Sequence, residues 1–524
     1  MSSLQLRRAL LGALAALCTL GVLAPAASAD HTQTSIFQDD QYLLYASPAK
    51  IQRTLVTLKN LGVQELRITM KWSAIAPSPF SRTQPGGYFF PANPSSYPQG
   101  NWKPYDRIVE LAAKYGLHVL FTVTGPGPLW ATANHPPSAV AANHWYLNPT
   151  AFQEFVYAAG LRYSGRYFNI PAVTAWSVWN EPDQPGWLAP QTLRVKGQVV
   201  AVAPQLYRDY VDAAWSALVA TGHIEPSNTI LIGELAPEGD STVGNYTPMT
   251  PMPFMRDLYC VSGSYQPLTG TAAKALGCPT TAAAQGTFAQ DNPALFQATG
   301  FAHHPYYFYK APSYSSPNPN WVPIANIGRL ERGLDSAMAA WGVNRHIPIY
   351  YTEYGYQTKP PDPYQVVTPA QQAAYLNEAD YMAYRNPRVV SVSQFELYDS
   401  PPNPLYKRSQ FDYWDTFQTG LLFVHGKPKP ALAAYRLPIW IPGSRFGPGG
   451  TVSVWGQIRP ADGGAATTAE VQWRGATGGF RTLTKVTTAN VEGYFSAHVR
   501  PPGTGTIRLL WGSYASRSAT VTQT

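Results

Sequence analysis

Trp176-Ser177-Val178-Trp179-Asn180-Glu181-Pro182-Asp183 is a run of β-forming residues that reaches a glutamate and stops at a proline. Ile349-Tyr350-Tyr351-Thr352-Glu353-Tyr354-Gly355-Tyr356 repeats the design and breaks at a glycine. Outward from these two runs, strand-like and helix-like segments alternate from about residue 40 to 435. The expected strands are Gln41–Ala46, Glu65–Trp72, His118–Thr124, Val173–Asn180, Thr229–Glu234, Gly300–Tyr306, Ile347–Glu353 and Val389–Tyr398. Amphipathic stretches such as Pro48–Leu61, Thr150–Ser164, Pro204–Thr221 and Pro369–Tyr384 fall between them. Eight βα units in one run predict a (β/α)8 TIM barrel. A doubly wound open sheet would normally carry a Gly-rich phosphate turn after its first strand, and this chain has none there.

The barrel is expected over 30–437. Its two long insertions, Ser73–Asn101 and Glu238–Gln297, both follow strands and so belong to the face where barrel active sites form. After Pro438 the composition changes. Residues 438–443 read as a linker, and 444–524 hold short alternating runs separated by Gly, Pro and Asn. These predict a small immunoglobulin-like β-sandwich of the immunoglobulin or fibronectin III type. At the other end, Arg7 and Arg8 precede the apolar stretch Ala9–Leu23, and Ala27-Ser28-Ala29 resembles a cleavage site. Residues 1–29 therefore read as a signal peptide, too short in its apolar part to span a membrane. Secretion is the expected fate. Cys18 leaves with the leader, and the two remaining cysteines, Cys260 and Cys278, are expected to form a disulfide.

The net charge is +8, with only 13% charged residues and no Lys/Arg block. That composition argues against a nucleic-acid partner. Aromatic residues make up another 13%, more than a core needs, and sugar rings stack on such faces.

Pro182 stops its strand, so Glu181 is expected at the barrel mouth, with Asn180 turned beside it by a local bulge. Trp176 and Trp179 would make its surroundings apolar, which favours a protonated carboxyl. Glu353 ends the seventh strand and should stay ionised, with Arg67 as the opposite charge that holds it so. His304 and Tyr306 share a face just before that unit. Tyr306 could donate to Glu353 and His304 could reach substrate or the carboxylates, while His303 points the other way and reads as structural. Trp130, after Gly125-Pro126-Gly127-Pro128, could form a sugar platform, and Trp72 and Trp187 also follow strand ends. Glu234 and Glu396 lie near strand ends as well, where each could be a substrate-binding carboxylate, and the pattern favours a structural or surface role for both.

With an Asn-Glu pair on the fourth unit and a second Glu on the seventh, the chain resembles the clan A retaining glycoside hydrolases. Asn-Glu-Pro and His-x-Tyr look most like family 5, the cellulase family, with family 39 close behind. The resemblance implies that Glu181 is the acid/base, Glu353 the nucleophile, and Asn180, Arg67, His304 and Tyr306 auxiliary site residues. The implied reaction is a double displacement on a β-linked oligo- or polysaccharide, with carbohydrate as the partner and no metal or organic cofactor needed. A transglycosylase and a catalytically retired carbohydrate-binding cell-wall protein are the alternatives. Family 5 enzymes usually carry a tryptophan on the eighth strand. Here that strand reads Gln394-Phe395-Glu396-Leu397-Tyr398-Asp399, and Phe395 or Tyr398 would have to substitute.

Overall fold

The computed structural model describes residues 32–133, 139–224, 226, 228–242, 244–461 and 465–524, with 139–141 by backbone only. The expected leader, its cleavage site and Cys18 lie outside those residues. Eight parallel strands close into a barrel: β1 Thr34–Gln38, β2 Glu65–Lys71, β3 His118–Thr124, β4 Ala175–Val178, β5 Thr229–Leu235, β6 Gly300–His303, β7 Ile349–Tyr351 and β8 Val389–Phe395. β1 pairs with both β2 and β8, which completes the ring.

The alternation of side chains divides each strand between two environments. On β2, Leu66, Ile68 and Met70 join the large apolar core outside the barrel, while Arg67 and Thr69 face inward. On β3, Val119, Phe121 and Val123 join that outer core. Leu120 instead meets Ile36, Ala175, Leu231 and Ala302 in a small internal cluster. This cluster plugs the barrel with aliphatic side chains, and the polar layer around Arg67 occupies the same interior.

Helices cover the outside and start where their caps dictate. Ser47 caps Pro48–Asn60, Asn148 caps Pro149–Arg162, and Thr368 with Gln371 forms a capping box on Pro369–Tyr384. The expected first strand, Gln41–Ala46, is a correction. The Asp39 side chain accepts from the Tyr42 amide and opens the one-turn helix Asp40–Leu43, so the strand is the preceding β1. The eighth strand ends at Phe395 rather than Tyr398, because Glu396 takes a left-handed backbone, φ 71°. A hairpin of Thr192–Val195 and Gln198–Ala201 follows β4, unforeseen in the sequence.

The Cys260–Cys278 disulfide is present, with Cα atoms 5.6 Å apart and a sequence separation of 18. It staples the second insertion beneath Arg208, whose guanidinium also reaches the Gly277 and Leu276 carbonyls. Replacing both cysteines by alanine should lower stability by about 3 kcal/mol in the chain-entropy account. Urea denaturation of the oxidised protein and the double variant checks this, and coincident curves would contradict it.

The C-terminal region has two β-sheets. Ile439–Trp440, Val452–Gln457 and Tyr494–Val499 form one, and Thr467–Arg474, Arg481–Thr488, Gly505–Trp511 and Ala519–Gln523 dominate the other. Val454 and Phe495 from the first meet Val471, Ile507 and Leu509 from the second in one apolar core. Trp455 is buried against Tyr384 of the helix Pro369–Tyr384, ring centroids 5.3 Å apart. Arg517 adds a 2.8 Å bond to Asn377 of the same helix.

Candidate active site

The residues after β4 are bent by backbone rather than by a slip in the ladder. Trp179 and Glu181 take left-handed conformations, φ 71° and 38°. Successive residues therefore escape strand alternation, and Asn180 and Glu181 both line one cavity at the C-terminal mouth. A left-handed non-glycine residue costs free energy and persists where surrounding contacts enforce it. The enforcing contacts are visible. The Glu181 amide donates to the Glu234 carbonyl, and the Asn180 amide donates to Thr124 Oγ1. Trp179 stacks on Tyr210 with centroids 4.7 Å apart, and Trp176 packs on Phe121. Both tryptophans are fully buried core residues.

Arg67 is the centre of the polar layer. It is completely buried and binds Gln38, Asn180, Glu234 and Glu353. Its bond to Glu353 Oε1 is 2.5 Å and its bond to Asn180 Oδ1 is 2.6 Å. Glu234 also accepts from Thr122 Oγ1 at 2.9 Å. Glu234 reaches this interior position because β5 bulges between Gly233 and Leu235. At Gly233, φ is 104° and a Cβ would stand 2.6 Å from the Ala302 carbonyl, so only glycine fits.

Tyr306 donates to Glu353 Oε2 at 3.1 Å, so each Glu353 oxygen has its own donor. His304 Nδ1 lies 2.9 Å from Glu181 Oε1 and 3.6 Å from Glu353 Oε2. β6 ends at His303 and Pro305 follows His304, yet His304 and Tyr306 still converge on the carboxylates. His303 turns away and binds the Val322 carbonyl at 2.7 Å, and burial pushes its pKa down to about 4.

Burial alone would raise the Glu353 carboxyl. The charges of His304 and Arg67, with the hydrogen bonds from Arg67 and Tyr306, reverse that and hold it below the usual carboxylate range. Burial likewise disfavours a charged His304, but Glu353 and Glu181 outweigh it and raise its pKa. A raised folded pKa means that this stabilisation is complete below the unfolded value of about 6.5. It is lost as pH rises through the higher folded value. The stability advantage of the native protein over His304→Gln should therefore be largest at acid pH and shrink from neutrality upward. Denaturant midpoints of both proteins from pH 5.5 to 9 measure it, and a difference independent of pH would show that His304 is neutral throughout.

An oxygen of Glu181, an oxygen of Glu353 and a ring nitrogen of His304 all lie within 4.8 Å of one another. Such a trio can hold a metal ion. Here a metal would meet Arg67, already paired with Glu353, and a histidine that the carboxylates draw toward its cationic form. The local charge therefore favours proton chemistry.

The cavity above these residues measures about 500 Å³. Its walls include Trp187, Gln184 and Glu238 on one side, and Asp40, Phe395, Glu396 and Phe417 toward the seam of β8 and β1. Trp130 is not among the lining residues. It packs edge-on against Trp72 and Phe89, each 5.8 Å away between centroids, and donates to the Pro77 carbonyl. The lining tryptophan is Trp187, with Lys71 Nζ 5.6 Å from its ring centre. Gln38 and Asp40 were missed in the sequence because the first strand was placed after them. The Gln38-Asp39-Asp40 run directly after Thr34-Ser35-Ile36-Phe37 was the available signal.

No protein-family model matches the chain, and no curated protein matches it. Solved structures similar to it include an endo-β1,6-glucanase, at 14% identity and TM-score 0.45, covering 96% of this chain and 91% of that one. A GH5_18 from Streptomyces cattleya in complex with GlcNAc has 13% identity and TM-score 0.44, covering 78% of this chain and 79% of that one. A GH5_18 from Bifidobacterium longum subsp. infantis has 13% identity and TM-score 0.43, covering 77% of each chain. At these identities and TM-scores the likeness carries no argument about activity, which has to come from the side chains at the barrel mouth.

Proposed function

We propose that the protein is a retaining β-glycosidase of the clan A type, most like family 5. The observation that carries this reading is the pair Glu181 and Glu353, facing one cavity with carboxylate oxygens within 4.8 Å. Retaining enzymes place their two carboxyls about 5–5.5 Å apart, whereas inverting enzymes need roughly 6.5–9.5 Å to admit a water. Glu353, held ionised, attacks the anomeric carbon. Glu181 gives its proton to the departing glycosidic oxygen, and the C–O bond to the leaving group breaks as the bond to Glu353 forms. Glu181 then takes a proton from water, whose oxygen displaces Glu353 and regenerates the enzyme. Tyr306 and Arg67 hold both Glu353 oxygens in place. The Asn180 oxygen is taken by Arg67, which leaves the amide nitrogen to donate to a sugar hydroxyl.

The substrate class is a β-linked oligo- or polysaccharide. Export by the leader fits the disulfide. Among the described residues no helix is long and apolar enough to cross a membrane. We read 30–437 as the catalytic domain and 444–524 as an immunoglobulin- or fibronectin III-like spacer. The spacer role is supported by Trp455, which is buried at the junction rather than offered to a glycan. Proton NMR of the first product tests the reading. A β-anomer appearing before mutarotation is expected, and an α-anomer first would overturn it. A retired barrel would release no product at all.

A further inference from the structure

The positive charge of the chain is not shared evenly between its two parts. Residues 30–443 hold 28 arginines and lysines against 27 acids, whereas 444–524 hold eight against three. Three of those eight, Arg474, Arg481 and Arg508, gather on the second C-terminal sheet. Arg508 stands opposite Gln472, and Arg481 opposite Trp473. Val471, Ile507 and Leu509 take the core side, so alternation turns Gln472, Arg474 and Arg508 outward. The first sheet carries Trp455 and Tyr494 against Tyr384 of the barrel, which turns the outer face of the second sheet away from the catalytic domain.

Aromatic rings, not acids, hold these arginines. The Arg508 guanidinium lies 3.7 Å from the centre of the Phe480 ring, and that of Arg474 lies 4.6 Å from the same centre. Arg508 Nε also donates to Gln472 Oε1 at 3.0 Å. Arg481 lies 4.8 Å from the Trp473 ring centre. Among the described residues, none of the three has a carboxylate oxygen within 4.0 Å. Glu470 is the acid on this sheet, and it is taken by neutral donors: Gln472 at 2.9 Å and Thr482 at 2.7 Å. A guanidinium held over a ring keeps its full charge and leaves N–H groups at its edge for a partner.

The chemistry of the surface selects that partner. A carboxylate matches a guanidinium edge with two parallel N–H···O bonds. An anionic lipid surface would call for exposed apolar side chains beside the cations. The large exposed apolar residues of 444–524 are Val491 and Tyr514, and both lie beside the barrel, near Lys59 and Arg436 respectively. Export, as read above, places the partner outside the cell. We propose that the outer face around Arg474 and Arg508 docks the exported protein on a carboxylate-bearing polysaccharide. This adds an anchoring role to the spacer, and it is independent of the chemistry at the barrel mouth.

The test uses the full mature chain on immobilised polygalacturonate, with fully methyl-esterified polygalacturonate as the uncharged counterpart. Phosphatidylglycerol vesicles and duplex DNA serve as competitors. The native protein should be retained on the charged polymer and not on the ester, and rising NaCl should release it, because exposed charges are screened. Replacing both Arg474 and Arg508 by glutamine should weaken retention by about 10-fold. Its turnover of the best small aryl glycoside should stay unchanged, which also reports the fold. The double lysine variant keeps the charge without the planar fork and should fall between the two. Equal retention on the ester, or equal retention of native and glutamine proteins, overturns the proposal. Release of the native protein by vesicles or DNA at lower concentrations than by free polygalacturonate overturns it as well, since the face would then fit a different polyanion. A native protein that turns over no glycoside yet is retained through these arginines supports the docking surface and removes the glycosidase reading alone.

Discussion

Replacing Glu353 by glutamine should abolish turnover, by about 10⁴-fold or more in kcat, while the protein still folds. The glutamine has the same shape, and its oxygen can still accept from Arg67. Its amide can donate to Tyr306 Oη, whose hydroxyl turns to accept. Arg67 keeps Glu234, Asn180 and Gln38 when the Glu353 charge is gone. The chemistry has no such fallback, because a neutral amide oxygen does not form the glycosyl ester. Steady-state rates on the best substrate, with circular dichroism to confirm the fold, measure the effect. Near-native activity in the variant would remove Glu353 from the nucleophile's role.

The second large effect is expected from Arg67→Met, and it falls on stability as well as rate. Arg67 is fully buried between two carboxylates, and removing it leaves Glu234 and Glu353 without their cation. Breaking a buried pair in this way costs about 3–5 kcal/mol, because the abandoned charge stays desolvated. Adding Glu234→Gln should recover part of the loss, since the two residues form one network. The acid side of the pH profile should move as well. Glu353 has a folded pKa below its unfolded one, so its contribution to stability is present above the unfolded value and lost as pH falls through the folded value. Without Arg67 that folded value rises. Any residual activity should then be lost at a higher pH than in the native enzyme. Denaturation midpoints and the acid limb of kcat/KM report both effects. A variant as stable as the native protein would show that the buried network contributes little.

The barrel was legible because parallel strands buried on both faces read as apolar runs, and helices such as Pro48–Asn60, Pro149–Arg162 and Pro369–Tyr384 begin at a proline beside a capping side chain. Glu181 and Glu353 were legible for the same reason: each closes such a run and is followed within two residues by a breaker. What stayed hidden depends on single backbone angles. Nothing in Thr229-Ile230-Leu231-Ile232-Gly233-Glu234-Leu235 shows that Gly233 bulges and turns Glu234 beneath Arg67. Nothing in Gln394-Phe395-Glu396 shows the left-handed turn that ends β8 and presents Glu396 to the cavity. Trp130 and Trp187 both follow strands and look alike in sequence. Contacts from residues distant in sequence, Phe89 to one and Lys71 at the end of β2 to the other, decide which of them reaches the cavity wall.

The central claim is that Glu353 forms a covalent bond to the sugar. The direct measurement is mass spectrometry of the protein after reaction with an activated 2-deoxy-2-fluoro β-glycoside of the preferred sugar, which slows release of the intermediate. The account requires one added glycosyl group, carried on the peptide that contains Glu353 and missing from Glu353→Gln. An adduct on the peptide containing Glu181, or an active enzyme that forms no adduct and yields the inverted anomer, would contradict it.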